Sequence, residues 1–453
     1  MMFLNERLRF FSSRPEQLFF CLFDESEKVG VIDDTGRINV GPIRLQSSFE
    51  HQRMIAVLNA ARLQPMEVFF SDFAQNLGGP KNPLYQLHDR LKREGAQVTD
   101  LVRGNMNEHG IVYPADILAD ILKQAAEKTR IYRPDSLGQR PAREAIAQYY
   151  EGLKISPDHV VITPGTSVSY WYCFKLLTEN GDEILCPQPS YPLFDYIARL
   201  AGVYMRHYRL DEKRGWAIDL DHLENQITTG TRAIVVISPH NPTGMVAGSD
   251  ELRGVAEIAG RHALPIISDE VFSEFLFGLD SFPSPAATDA PLVFTLNGLS
   301  KMFALPGMKI GWMAITGDDA LVTKSVAALD LISDTFLPVN EIAQFAVPEI
   351  FRRGGEFVKE YKDWIQRCRS AAVDGLKGIT FAEPKGGFYI TVPIARDEDE
   401  AAAELLRKDG ILVHPGYFYD ISPDHLVMTF IDDSDLVREH FEKIARVCSP
   451  EGN

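Results

Sequence analysis

The chain has 453 residues, 45% hydrophobic and 24% charged, a globular composition that excludes a disordered, collagenous or membrane-embedded chain. Its 46 Lys and Arg stand against 63 Asp and Glu, a formal charge of −17, and no block of like charges concentrates it, which argues against a nucleic-acid partner. The five cysteines (Cys21, Cys173, Cys186, Cys368, Cys448) are scattered, odd in number and without a CxxC pair, so they fit reduced thiols in a cytoplasm and offer no zinc motif.

The first 80 residues read as a segment of their own, with a turn at residues 33–36, a strand-like run over 38–45 and a helix over 48–62. The apolar run 18–23 is too short to span a bilayer and lacks a signal-peptide layout, so the protein is expected in the cytosol. Helix breakers crowd Gly78-Gly79-Pro80-Lys81-Asn82-Pro83 and mark a boundary.

Beyond it, helical patterns such as 114–128 and 142–151 alternate with short apolar strands over 160–163, 183–186, 233–238, 265–268, 292–296 and 311–315. That alternation predicts an α/β fold with a mainly parallel sheet wrapped by helices, and ligands in such sheets lie beyond the carboxyl ends of the strands. After about residue 348 the pattern turns to a long amphipathic helix, strands over 387–392, 412–413 and 426–430, and a closing helix over 434–447, a smaller α+β domain. The expected division is an N-terminal extension of unassigned role (1–80), the N-terminal part of the small domain (81–130), a large domain (131–347) and the C-terminal small domain (348–453).

Four polar or glycine-rich elements follow strands in order. Thr163-Pro164-Gly165-Thr166-Ser167 runs from a strand into a helix whose free N–H groups and hydroxyls could hold a phosphate. Ser238-Pro239-His240-Asn241-Pro242-Thr243-Gly244 is a turn after an apolar strand, and Ile267-Ser268-Asp269-Glu270-Val271-Phe272 puts an acid at a strand end. In Leu299-Ser300-Lys301-Met302-Phe303 a lysine stands among apolar residues. A buried ammonium is costly unless its pKa falls or the amine is neutralised in a Schiff base. Each element alone has a plain structural explanation: a capped helix, a turn, an N-cap, a snorkelling lysine.

Taken together, Asn-Pro-x-Gly, Asp-Glu-Val, then Ser-Lys followed by Pro-Gly and Gly-Trp resemble the class I/II aminotransferases of the fold-type I pyridoxal-phosphate enzymes, over about Pro83 to Val447. The resemblance implies a seven-stranded-type sheet in a large cofactor-binding domain and pyridoxal 5'-phosphate as cofactor. It gives Lys301 the Schiff base and the proton relay, Asp269 the pyridine nitrogen and Asn241 the ring O3′. Tyr191 would stack on the ring, while Gly165, Thr166, Ser167, Ser300 and Lys309 would surround the phosphate. Tyr132 matches a tyrosine that reaches the phosphate of a neighbouring subunit, which implies a homodimer.

The chain departs from the family pattern at four positions: Gly298 for a phosphate-binding Ser, Lys309 for Arg, Phe272 for a Tyr on O3′, and Val427 for the Arg that clamps the substrate carboxylate. The last removes a charge-assisted contact of about 1.5–3 kcal/mol. Arg103, beside the substrate-loop glycine Gly104, is the first candidate to replace it and His414 the second. No arginine occurs over 329–344, which disfavours a dicarboxylate donor, and Phe336, Leu337, Phe388, Tyr417 and Tyr419 suggest an apolar or aromatic-lined pocket. The expected function is transfer of an amino group from a neutral or apolar amino acid to a 2-oxo acid in a ping-pong cycle. The same scaffold also supports lyases and cyclases, and less readily a non-catalytic regulator. Formation of pyridoxamine phosphate separates these readings.

Overall fold

The computed structural model describes the strands at 9–11, 19–23, 28–32 and 38–42 and residues 70–75, 80–153, 155–336, 339–421 and 424–449. The expected turn at 33–36, the helix over 48–62, Gly78, Gly79 and Leu337 lie outside the described residues. The chain divides into two compact units, Met1–Gln75 and Asn76–Asn453.

In the first unit, β1 (Arg9–Phe11), β2 (Phe19–Phe23), β3 (Lys28–Ile32) and β4 (Ile38–Pro42) form an antiparallel meander in sequence order. The strand expected over 38–45 starts where the alternation does and is described as far as Pro42, a residue with no N–H to give a further ladder bond.

The second unit opens with the helix Pro83–Arg93 and a short strand, β5 (Thr99–Asp100). Its main sheet contains β6 (Val160–Thr163), β7 (Glu183–Gln188), β8 (Tyr204–Asp211), β9 (Ala217–Ile218), β10 (Thr231–Ile237), β11 (Ile266–Asp269), β12 (Leu292–Gly298) and β13 (Gly311–Gly317). Their spatial order is β6-β13-β12-β11-β10-β7-β8-β9. The pairs from β12 through β8 are parallel, whereas β13 runs antiparallel to both β12 and β6, and β9 is an antiparallel edge. Every residue of β12, inside the sheet, and of β6, at the end of the strand order that helices cover, is buried, and both strands are mainly apolar.

Helices cover both faces. Tyr170, Cys173 and Phe174 of the helix Thr166–Leu177 pack with Leu329 of the helix Asp319–Phe336 against one face. Helices Ala115–Lys128, Arg140–Tyr149 and Glu341–Arg353 close over β6 and β13 around Trp312.

The C-terminal part carries a three-stranded antiparallel sheet, β14 (Tyr389–Pro393), β17 (His425–Thr429) and β16 (His414–Pro415), in that order. Beside it β15 (Ile411–Leu412) pairs with β5 in parallel, which ties residues 99–100 to this part. Helices Gly355–Gly375, Glu398–Lys408 and Ser434–Cys448 complete it. Its core, including Phe388, Leu405, Val427 and Phe441, is continuous with the residues under β10 and β11. No helix among the described residues is long and apolar enough to cross a membrane.

Candidate functional site

The carboxyl ends of β6, β10, β11 and β12 lie on one edge of the sheet, and because β13 is antiparallel its first residues return to that edge. The pocket at this edge is lined by Thr166, Ser167, Tyr191, Phe194, Asn241, Asp269, Phe272, Gly298, Ser300, Lys301 and Tyr389, among others. Residues from four separate motifs therefore converge.

After β6, Gly165 takes φ 128, a conformation that side-chain-bearing residues rarely adopt, and starts the helix Thr166–Leu177 without a side-chain cap. The helix start is thus open to an anion, with Thr166 and Ser167 beside it. Crowding explains the glycines across from it. A Cβ on Gly311 would come within 2.8 Å of the Gly165 backbone, and one on Gly298 within 2.8 Å of the Ile310 carbonyl. Gly298 is therefore set by backbone packing, and the serine of the family pattern has no room there.

Asn241 sits in a loop that holds itself together: Gly244 N–H donates to the His240 carbonyl at 2.7 Å, and His240 Nδ1 meets Thr243 Oγ1 at 2.9 Å. Thr391 Oγ1 ties the loop to β14 through the Pro242 carbonyl at 2.9 Å. The Oδ1 of Asn241 is buried and has no hydrogen-bond partner among the described residues.

Asp269 ends β11. The Val271 N–H donates to its Oδ1 at 3.1 Å and the Tyr170 hydroxyl to its Oδ2 at 2.8 Å. Burial lifts its carboxyl to about 6, and those two hydrogen bonds pull the other way. A cation against it would lower it further.

Lys301 stands on the single helical turn Leu299–Met302 after β12. Burial lowers its amine to about 8, close to neutrality in ordinary buffer, where an amine can act as nucleophile and base. Nζ donates to the Gly104 carbonyl at 3.1 Å and lies 5.9 Å from the centre of the Phe272 ring. Gly104 thus reaches the site through its backbone.

Several expected site residues lie outside this cluster. Arg103 is 65% exposed and faces Asp100, with Nε 3.4 Å from Oδ2. Lys309 is exposed on the rim at φ 53, just before the pocket residue Ile310. Tyr132 is 68% exposed. His414 is buried: its Nε2 meets Tyr85 Oη at 2.7 Å, its Nδ1 meets Tyr419 Oη at 3.2 Å, and burial lowers it to about 4, so it is a neutral, satisfied histidine. Val427 is buried in the core.

The aromatic lining differs from expectation. Phe388 is fully buried core, Phe336 is exposed, Tyr419 is held by His414, and Tyr417 bonds Asn82 and Asp399. The pocket's aromatics are instead Tyr191, Phe194, Phe272 and Tyr389. Two hydroxyl-bearing residues of the site, Tyr170 and Tyr389, were missed in the sequence, as was the pocket aromatic Phe194. Tyr170 lies four residues after Thr166 on the same helix and so on the same face, a spacing that could have disclosed it. Tyr389 follows Phe388, and side-chain alternation along an extended chain turns the tyrosine to the pocket and the phenylalanine away.

These residues fit pyridoxal phosphate. The uncapped helix start suits a phosphate, the buried carboxylate of Asp269 suits a protonated ring nitrogen, the amine of Lys301 suits a carbonyl, and the orphaned Asn241 Oδ1 awaits a polar partner.

Comparison with known proteins agrees. Residues 97–440 match the family model "Aminotransferase class I and II". The chain is 30% identical over 385 residues to the glutamate-pyruvate aminotransferase AlaA of Haemophilus influenzae, covering 82% of this chain and 95% of that one. It is 31% identical over 401 residues to the alanine aminotransferase of Mycobacterium bovis, covering 83% and 89%. Among solved structures it is similar to an alanine aminotransferase from Pyrococcus furiosus, with a TM-score of 0.76 and 26% identity over 83% of this chain and all of the other. The chain belongs to the class I and II aminotransferases: it is an aminotransferase of the aspartate-aminotransferase-like fold whose cofactor is pyridoxal phosphate.

Proposed function

With this family membership as the premise, we propose that the enzyme takes the amino group of a neutral or apolar amino acid and passes it to a 2-oxo acid in a ping-pong cycle. The observation that carries the reading is the convergence of Lys301, Asp269 and Asn241 in a pocket whose aromatic lining is Tyr191, Phe194, Phe272 and Tyr389 and in which, among the described residues, Lys301 is the only lysine or arginine. The cofactor supplies the electron sink for the charge left when the substrate α-carbon loses its proton.

The residues divide that work. Lys301 Nζ holds the cofactor and then takes and returns the α-carbon proton, a task that suits an amine near neutrality. Asp269 keeps the ring nitrogen protonated, and Tyr170 and the Val271 N–H fix its carboxylate in place. Asn241 orients the ring oxygen and Tyr191 stacks on the ring. Gly165, Thr166, Ser167, Ser300 and Lys309 form the phosphate end. Gly104 and Arg103 form the substrate side: the Gly104 carbonyl already touches Lys301, and Arg103, next in the chain, has to leave Asp100 to meet a carboxylate.

The assembly we propose is a cytoplasmic homodimer in which Tyr132 completes the neighbouring subunit's phosphate site. Exposed Ile131 and Tyr132 support a covered surface there, and the buried free thiols of Cys173, Cys186, Cys368 and Cys448 suit a reducing compartment. We further propose that residues 131–347 act as the cofactor domain, joined by the helix Ala115–Lys128 that packs on its sheet, and that the rest of 81–130 with 348–453 forms the small domain, with the role of 1–80 unassigned.

The deciding experiment titrates the purified, cofactor-loaded enzyme with a panel of amino acids in the absence of any 2-oxo acid. Loss of the visible band with matching formation of pyridoxamine phosphate is expected with neutral or apolar donors. A band that persists across that panel, or a cofactor recovered unchanged, overturns the reading.

A further inference from the structure

The pocket's hydrogen-bonding groups are unevenly placed. Thr166, Ser167 and Ser300 gather at the helix starts, and the remaining hydroxyls are the phenols of Tyr191 and Tyr389. At Phe272, three residues beyond Asp269, the wall is apolar: its ring lies 5.9 Å from Lys301 Nζ and 6.1 Å, at 74°, from the ring of Tyr389.

Tyr389 stands where a donor is needed. A Cβ built on Gly104 would lie 3.1 Å from the Tyr389 hydroxyl and 3.8 Å from Lys301 Nζ, so hydroxyl and amine flank one point. The Asn241 side-chain amide, whose NH2 group is the donor, is a neighbour of the same phenol. Burial holds the phenol protonated and therefore a donor.

We infer that the Tyr389 hydroxyl, together with the Asn241 amide, is the hydrogen-bond donor to the cofactor's phenolic oxygen in this enzyme, taking the part that Phe272 cannot play. The inference rests on the proposed cofactor site and adds a residue to it. A donor to that oxygen draws negative charge toward itself and makes the neighbouring lysine-linked nitrogen less basic. Removing the donor raises the pH at which that nitrogen gives up its proton.

The test is Tyr389→Phe, which keeps the ring and its packing, read by pH titration of the visible absorbance of the cofactor-loaded protein and by the dissociation constant of the cofactor. We expect the titration midpoint to move up by about one unit and the cofactor to dissociate about tenfold more readily. Adding Phe272→Tyr to that variant restores a hydroxyl from the facing wall and brings the midpoint back toward wild type. A midpoint and dissociation constant unchanged in Tyr389→Phe overturn the inference, and so does a shift that the double variant deepens, since that assigns Tyr389 to packing alone. Failure of the cofactor site itself shows differently, as a wild-type protein with no visible band.

Discussion

The floor of the pocket and its substrate side are built by opposite means. On the floor, Asp269 has both carboxylate oxygens engaged, the Lys301 amine is desolvated, and Asn241 is set in a loop tied to β14. On the substrate side the polar groups are spent elsewhere: Arg103 faces Asp100, His414 is closed between two tyrosines, and Val427 is core. The contrast teaches that the chemistry of this enzyme is fixed by its own sheet edge. In the proposed site, choice of substrate rests on groups that must move or be supplied when substrate arrives.

The largest expected effect comes from breaking the floor at Lys301. Lys301→Ala should abolish both turnover and borohydride-trapped cofactor, and mass mapping of the trapped peptide checks it; label on another lysine would reject the assignment. Next comes Asp269→Asn, which removes the charge we propose to face the ring nitrogen. Loss of one partner of a buried pair costs about 3–5 kcal/mol, or on the order of a hundred- to several-thousandfold in cofactor affinity or turnover. Tyr170→Phe removes a single hydrogen bond to that carboxylate. At about 1.5–3 kcal/mol for a bond to a charged group, it should slow turnover about ten- to a hundredfold, a larger effect than the few degrees by which it lowers the melting temperature of the cofactor-free protein. Equal losses in both measurements would make Tyr170 a packing residue.

The substrate side can be sharpened with Arg103→Ala. If the side chain leaves Asp100 to bind the substrate carboxylate, KM for the best donor should rise about tenfold or more with little change in kcat. The exposed ion pair itself adds little to stability, so the fold should be unaffected. An unchanged KM would remove Arg103 from the site.

How far the site could be read from the sequence follows the same division. The strand carrying Asp269 and the turn carrying Lys301 were visible because apolar runs end abruptly in polar residues, and burial on both faces produces such runs. The reversed direction of β13 was not visible, because hydrophobic pattern carries no strand direction. β8 was missed because its residues, Tyr204–Asp211, mix charged and aromatic side chains near a sheet edge and show no clean alternation. Phe388 and Tyr389 show the finest limit: Phe388 was expected in the pocket, but a shift of one residue exchanges a core ring for a pocket hydroxyl.

The smallest effect tests the floor without touching the reacting atoms. Glu270, next to Asp269 but turned into the protein, is buried, and its Oε1 accepts from Ser268 Oγ at 2.9 Å and Ser284 Oγ at 2.7 Å. Burial lifts it from its ordinary 4.5 to about 7, as it lifts Asp269 to about 6. A carboxyl whose value is higher folded than unfolded contributes stability that is full below about pH 4.5 and is lost as pH rises through about 7, here at most about 3 kcal/mol. The melting temperature of the cofactor-free enzyme should therefore fall between about pH 5 and pH 8, and Glu270→Gln should flatten that fall. Loading the cofactor should remove only the part due to Asp269, whose charge then has a partner, and leave the part due to Glu270. Parallel curves for wild type and variant would place the titration on another group, and the floor's rigidity would then owe nothing to Glu270.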